Sequence, residues 1–509
     1  MSNPHPLSPT VARRVVLGGL AAAAVVARPV PAGAAPSAAA GGGLPPCLPG
    51  LRCWTPGSGT FTLATAPTVR APVTLAARAA ALAGDLTAVL GRPVGSGSGA
   101  GAAGDVVLSL GSGLDDEEYE LTVGSTLRAR ATTSTGLSWA AQTVLQLLRR
   151  TTTLPRGTVS DGPVQSERAL MVDLARQFYP LSWVRDQVRQ MAYLKLNTLH
   201  LHLSDDQAFR VESTVAPDAV SADHYSKAEL QDLVGWAAQQ GVTVVPEIDV
   251  PGHMGALLAA RPGIALAPVG GTRRVLDLSQ QSAWDFAESV LREYLPLLDG
   301  PTWMLGNDEW LSTAEVDAYP GLGAEARRRY GAAATGRDLQ YDFVNHMAGV
   351  VAEYGKGLRI WNDQIVPSTV VPLSPEVSIS HWYGSDDPTA RQLADRGHDL
   401  VNANWLELYY ILGNTPPSAG RLWDTFSVGR FALRNTESTV LGEDDPHLLG
   451  AQLSVWGEPG VAVPPATVAA NVRDPLRVLA QLNWGSPRPA ADYAGFAALS
   501  SAVGDAPPR

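Results

Sequence analysis

Cysteine is almost missing: Cys47 and Cys53 are the only two in 509 residues. Neither has a histidine close by in sequence, so they do not form a zinc-ligand set. A disulfide between them would close a small loop around Pro49 and Gly50 and could not staple a whole fold. Lysine is nearly absent too, with Lys195, Lys227 and Lys356 standing alone among a large excess of arginine. The formal net charge is -11 and no dense basic patch interrupts it, which argues against a nucleic-acid partner. No stretch after the N-terminal region is apolar for long enough to span a bilayer. No Gly-rich phosphate loop follows the first strand of the alternating region, which disfavours an open dinucleotide-binding sheet.

What is present suits a globular enzyme: 45% hydrophobic residues, with 50 glycines and 39 prolines. At the N-terminus, Arg13-Arg14 precede an Ala-rich apolar run from Val15 to Ala27, and small residues follow up to Pro36. This is the order of an export signal, and the paired arginines resemble a twin-arginine signal for proteins exported already folded. A secreted or cell-envelope location is expected, and export would permit the Cys47–Cys53 bridge. The organisation reads as an export signal at 1–36, a Gly/Pro-rich lead at 37–60, a small α+β domain at 61–165 and a catalytic barrel at 166–509. In the small domain, Leu75 to Leu90 reads as a helix, "DVVLSLG" as a strand and "YELTVGSTLRARATT" as a hairpin. "TGLSWAAQTVLQLLRR" then reads as an amphipathic helix.

From Arg168 onward, eight short apolar runs alternate with helical stretches: "ALMVDL", "LNTLHLHL", "VTVVPEID", "TWMLG", "LRIWND", "VSISHW", "DLVNAN" and "AQLSVW". Eight β/α repeats predict a closed (β/α)8 TIM barrel, whose chemistry sits at the C-terminal tips of its strands. The polar residues fall at those tips. They are Asp173 and Arg176; His202, Asp205 and Asp206; Glu247, Asp249 and His253; Asp308 and Glu309; Trp361 and Asp363; Trp382; Asn402, Asn404 and Tyr409; Trp456 and Glu458. Aromatic faces suit the C–H face of a pyranose ring, while acids and an arginine suit its hydroxyls. Asp308 and Glu309 are adjacent, so they can share a pocket only where the backbone turns at a strand end.

The blocks "LMVDLARQFY", "LHLHLSDDQAFRVES", "VVPEIDVPGHM", "GNDEW", "RIWNDQI" and "LSVWGE" resemble, in order, those of glycoside hydrolase family 20, the β-N-acetylhexosaminidases. The resemblance runs from about Arg168 to about Asn483. The preceding segment is similar to the small α+β domain that often comes before that barrel. It implies that Glu309 is the general acid/base and that Asp308 holds a substrate 2-acetamido group, whose oxygen acts as nucleophile. The outcome would be an oxazolinium intermediate and net retention, with no enzymatic nucleophile about 5 Å across the ring. Tyr409, or Tyr410 in the alternative register, resembles the donor to the acetamido oxygen. Trp361, Trp382 and Trp456 resemble the walls of the sugar pocket, with Asp363 beside them. Arg176 and Glu458 resemble a pair that grips the outer hydroxyls and limits the pocket to one sugar, which implies exo action. Asp249 and His253 resemble a supporting acid–histidine relay, with His202 and Asp205 in a similar supporting place.

The implied partner is a glycan or amino-sugar oligosaccharide, and no cofactor or metal is implied; the oligomeric state is left open. One departure stands out: the family commonly has His-x-Gly-Gly or His-x-Gly-Ala before its Asp-Glu pair, where this chain has Met304 and Asn307. A lacto-N-biosidase of the same family is the near alternative, and a catalytically silent sugar-binding protein is the alternative from another class. A family 18 chitinase would present a DxxDxDxE array, and the chain has none.

Overall fold

The computed structural model describes residues 43–267, 275–363, 365–366, 370–384, 388–433 and 438–508. The export-signal segment at 1–36 lies outside the described residues, as do residues 37–42 of the lead.

The first layer is a seven-stranded mixed sheet in the order Cys53–Thr62, Thr153–Asp161, Tyr119–Val123, Leu127–Ala131, Val106–Leu110, Thr68–Arg70 and Gly95–Gly97. Its hairpin pairs Tyr119 with Ala131 and Val123 with Leu127, which buries alternate residues of both strands. Helices Ala76–Leu90 and Ser134–Arg150 accompany the sheet. The second is capped by the Thr133 side chain, which accepts from the Gly136 N–H, and it buries most of its apolar residues. Val73–Leu90 is the one stretch among the described residues long and apolar enough to cross a membrane. Its Leu75, Ala79, Leu82, Ala83 and Leu86 are buried in the common core.

Two features here differ from the sequence expectation. Cys53–Thr62, which starts inside the stretch read as a lead and runs into the small domain, is an edge strand paired with Thr153–Asp161. Pro56 and the glycines around it break the apolar alternation, and the register shifts between Pro56 and Thr60. The anticipated Cys47–Cys53 disulfide is not formed; both thiols are free. Cys47 is buried while Cys53 begins the edge strand with its side chain exposed, so the two do not face each other. Burial pushes the Cys47 thiol up to about 12.

The second layer is the barrel. Its strands are β1 (Glu167–Asp173), β2 (Thr198–His202), β3 (Thr243–Glu247), β4 (Thr302–Met304), β5 (Gly357–Trp361), β6 (Ser378–His381), β7 (Leu400–Asn402) and β8 (Leu448–Trp456). All neighbours are parallel, and β8 closes the ring by pairing with both β7 and β1. Each of the eight apolar runs read from the sequence is one of these strands. The intervening helices are locally specified as well. Lys227–Gln240, for example, begins with a Ser226/Glu229 capping box and ends at Gly241 in the left-handed region.

Alternation along the strands sorts the barrel interior. In β2, Leu199 and Leu201 belong to the outer apolar core, whereas His200 and His202 meet the interior residue Glu247. Low in the barrel, Arg359 makes a bidentate pair with Glu167 at 2.6 and 2.8 Å. A separate apolar cluster of Met171, Val245, Met304, Trp361 and Ala403 underlies Trp382, Tyr409 and Trp456. This cluster is the floor on which the site is built.

Candidate active site

Asp308 and Glu309 follow β4 on a tightly turned loop. Gly306, Asn307 and Glu309 all have positive φ, at 83°, 69° and 46°. That turn is what lets neighbouring carboxylates address one pocket, and it places strain at two non-glycine residues. Asn307 is held by its side chain, whose Oδ1 accepts from Gln340 Nε2 at 3.0 Å. Gln340 in turn accepts from Arg337, which also donates to the Leu311 carbonyl at 2.8 Å. Met304 packs into the apolar floor. The two departures from the expected motif therefore have distinct roles: one fills the floor, the other ties the acid loop to helix Gly336–Ala352.

His253, after β3 and itself at φ 48°, stands between three acids. Its Nδ1 is 3.4 Å from Asp205, and its Nε2 is 3.5 Å from Asp308 and 3.6 Å from Glu309. Burial alone would lower its pKa, but Asp205 and Asp308 raise it well above the usual histidine value, which favours the protonated ring. The acid on Nδ1 is Asp205, while Asp249, read from the sequence as the relay partner, lies within 4.8 Å of a His253 ring nitrogen. Asp249 instead turns toward Asp308, and its Oδ1 accepts the Asn307 N–H at 3.2 Å. Burial opposes ionisation of Asp205, yet Arg176 and His253 hold it well below the usual carboxylate range.

A second chain of acids and imidazoles runs beneath. His202 contacts Asp205 at 3.0 Å and Glu247 at 2.7 Å, and His200 contacts the same Glu247 oxygen at 2.9 Å. The other Glu247 oxygen accepts from Trp361 Nε1 at 2.8 Å. Burial would lower the His202 pKa, but Glu247 and Asp205 raise it to about 10. The groups His202/Glu247/Asp249, Asp205/Asp206/His253 and Asp249/His253/Asp308 each lie within 4.8 Å of one another.

Opposite the acids stands the aromatic wall. Trp382 and Tyr409 are near-parallel, with ring centres 6.1 Å apart and 12° between planes. Trp456 lies 5.8 Å from Tyr409 and 5.7 Å from Trp361. Trp382 Nε1 donates to Asp363 at 2.6 Å, which fixes the ring. Tyr409 arrives on a short strand, Tyr409–Ile411, that pairs with β8 beyond the end of β7. Its neighbour Tyr410 faces away, its hydroxyl accepting from Asn471 Nδ2 at 2.7 Å. At the rim, Arg176 is bound by Asp173 at 2.9 Å and Asp205 at 2.6 Å, and its guanidinium lies 5.5 Å over Trp456. Gly457 permits that approach, since a Cβ there would stand 2.5 Å from Arg176 Cβ. Glu458 is close enough to feel Arg176, although burial dominates and raises its pKa.

The description "Glycosyl hydrolase family 20, catalytic domain" matches residues 166–468, and "Glycosyl hydrolase family 20, domain 2" matches residues 44–162. The chain belongs to glycoside hydrolase family 20. Among family relatives, a lacto-N-biosidase from Bifidobacterium bifidum is 29% identical over 465 residues, covering 88% of this chain and 40% of the relative. A β-hexosaminidase from Porphyromonas gingivalis is 26% identical over 399 residues, covering 71% of this chain and 49% of the relative. The chain thus spans less than half the length of these two relatives. The family 20 exo-β-N-acetylglucosaminidase from Vibrio harveyi, solved with N-acetylglucosamine, has the same fold. Its TM-score is 0.73 at 21% identity, covering 92% of this chain and 79% of that one. The family 20 β-N-acetylhexosaminidase from Streptomyces coelicolor gives 0.70 at 22%, covering 90% and 96%.

Several residues around the site received no role from the sequence. His200 and Glu247 form the hub below the pocket. The signal for them was there: His200 and His202 are two apart on one strand, and His202 is in register with Glu247. Arg337 and Gln340 carried none, since nothing in a helix sequence says that it passes behind the acid loop.

Proposed function

We propose that this family 20 glycoside hydrolase is a secreted, retaining exo-β-N-acetylhexosaminidase that removes terminal β-linked GlcNAc or GalNAc. The observation that carries this reading is that Asp308 and Glu309 meet His253 at the strand tips while the charge of Asp308 is felt at Tyr409, which with Trp382 and Trp456 packs on the floor cluster containing Trp361. Glu309, next to an imidazolium, protonates the glycosidic oxygen and then acts as the base toward water. Asp308 accepts the acetamido N–H and stabilises the charge that grows on the ring, while Tyr409 donates to the acetamido oxygen. Held in this way, the acetamido oxygen attacks the anomeric carbon from within the substrate, which replaces a bimolecular step by an internal one. The leaving bond breaks as an oxazolinium forms, and water opens it with net retention.

Arg176 and Glu458 bind the outer hydroxyls and confine the pocket to a single sugar from the non-reducing end. The test is paired release of p-nitrophenol from the β-GlcNAc and β-glucose glycosides. Turnover of the first and almost none of the second is expected; equal rates would overturn the reading. A second reading, lacto-N-biosidase, is favoured by the B. bifidum relative, whose match covers 88% of this chain. Release of a p-nitrophenyl lacto-N-bioside with none of the GlcNAc glycoside would select it.

A further inference from the structure

Asp249 is fully buried behind the acid pair and does not belong to the His253–Asp205 contact. Its backbone N–H donates to Ser204 Oγ at 2.9 Å, and its Oδ1 accepts the Asn307 N–H at 3.2 Å. Its Oδ2 is buried and meets no donor, and the same holds for Asp308 Oδ1. One carboxylate oxygen of Asp249 and one of Asp308 lie within 4.8 Å of each other. Two facing acceptors can hydrogen-bond only if one proton lies between them. Gly306 makes the arrangement possible, because a Cβ there would stand 2.1 Å from Asp249 Oδ1.

The surrounding charges decide which carboxyl keeps the proton. His253 Nε2 addresses the other oxygen of Asp308, Oδ2, at 3.5 Å and favours its anion. Asp249 is buried beside the negative Glu247 as well as Asp308, both of which disfavour its ionisation, with only His253 opposing them. His202 also borders Asp249, but its two nitrogens are engaged by Glu247 and Asp205. Burial first and then Asp308 push the Asp249 carboxyl well above the usual range.

We propose that Asp249 is a neutral carboxylic acid that donates from Oδ2 to Asp308 Oδ1 and so fixes Asp308 as the single anion presented to the substrate. Asp249 is thus a positioning residue, and the inference rests on Asp308 being the group that orients the acetamido function. An asparagine can copy a neutral acid here: its amide donates to Asp308 while its oxygen still accepts from Asn307. Asp249→Ala should therefore lose about 10²-fold in kcat, the scale of a misplaced reacting group. Asp249→Asn should recover most of that loss. In infrared difference spectra at neutral pH, Asp249→Asn should remove one protonated carboxylic C=O band, and the same loss should appear in a Glu309→Gln background. An asparagine variant as impaired as the alanine variant would overturn the proposal, because the charge would then be what matters. So would an unchanged carboxylic band, which reads the folded protein even where the alanine variant does not fold. The infrared arm needs no sugar, so it stands or falls separately from the substrate assigned above.

Discussion

Two buried clusters of charge, one where the small layer meets the barrel and one at the strand tips, are built from similar residues and finished differently. At the layer interface, Lys195 Nζ donates to Tyr119 Oη at 2.8 Å and pairs with Asp161 at 3.2 Å. The other Asp161 oxygen accepts from Trp484 Nε1 at 2.9 Å and from the Arg52 N–H at 3.1 Å. Tyr119 also bonds Thr143 at 2.7 Å. Every polar atom of that cluster is matched within the protein. At the tips, both His253 nitrogens and Trp456 Nε1 are buried without an aligned protein partner, and Asp249 Oδ2 and Asp308 Oδ1 meet no donor besides the proton proposed to lie between them. A saturated cluster can only hold the fold together. A cluster with carboxylates and an imidazolium left over is poised to exchange protons, and it keeps that capacity at a cost in stability.

The contrast makes opposite predictions for activity and for stability. The largest effects should come from the acid pair. Glu309→Gln and Asp308→Asn should each lose about 10²–10⁴-fold in kcat while leaving the melting temperature nearly unchanged. Glu309→Gln should suffer least with a dinitrophenyl leaving group that needs no proton, whereas Asp308→Asn should stay impaired with every leaving group. Next is Lys195→Met, which strands the Asp161 charge at the layer interface. It should cost about 3–5 kcal/mol in denaturant unfolding and leave kcat per folded molecule intact. Loss of turnover without loss of stability in this variant would erase the distinction between the clusters.

Arg176→Ala comes third. Each charge-assisted hydrogen bond lost to an outer hydroxyl should remove about 1.5–3 kcal/mol, read from kcat/KM. Early mid-chain products from a reducing-end-labelled chito-oligosaccharide would show instead that Arg176 does not bound the pocket. Asn307→Gly should be the mildest. Glycine accepts the 69° φ freely, but Gln340 Nε2 loses its acceptor, at a cost of about 1 kcal/mol in unfolding.

The barrel was legible because each strand is an apolar run that ends in polar residues, from "ALMVDL" to "AQLSVW". Burial on both sides writes that signal directly into composition. The edge strand Cys53–Thr62 was not, because it is mostly exposed and interrupted by Pro56, so no alternation marks it. Within the site, residue types at the tips pointed to sugar chemistry, but pairing depended on loop geometry. Asp205 and Asp249 are equivalent on paper, and only the turn after β3 decides which of them meets His253. Tyr409 was separable from Tyr410 only once Tyr409–Ile411 was seen to extend the wall along β8. The Arg337–Gln340–Asn307 connection was invisible, since it joins the loop after β4 to a helix of the same β/α unit through side chains alone.

The central claim is that the attacking atom belongs to the substrate's own acetamido group. The direct measurement is kcat/KM across p-nitrophenyl β-glycosides whose N-acetyl group carries zero, one, two or three fluorines, at constant pH. Each fluorine withdraws electron density from the acetamido oxygen, so the rate should fall steeply at every step. A rate indifferent to fluorination, accompanied by a stable protein adduct with a 2-fluoro sugar on Asp308 or Glu309, would contradict the account and place the nucleophile on the enzyme.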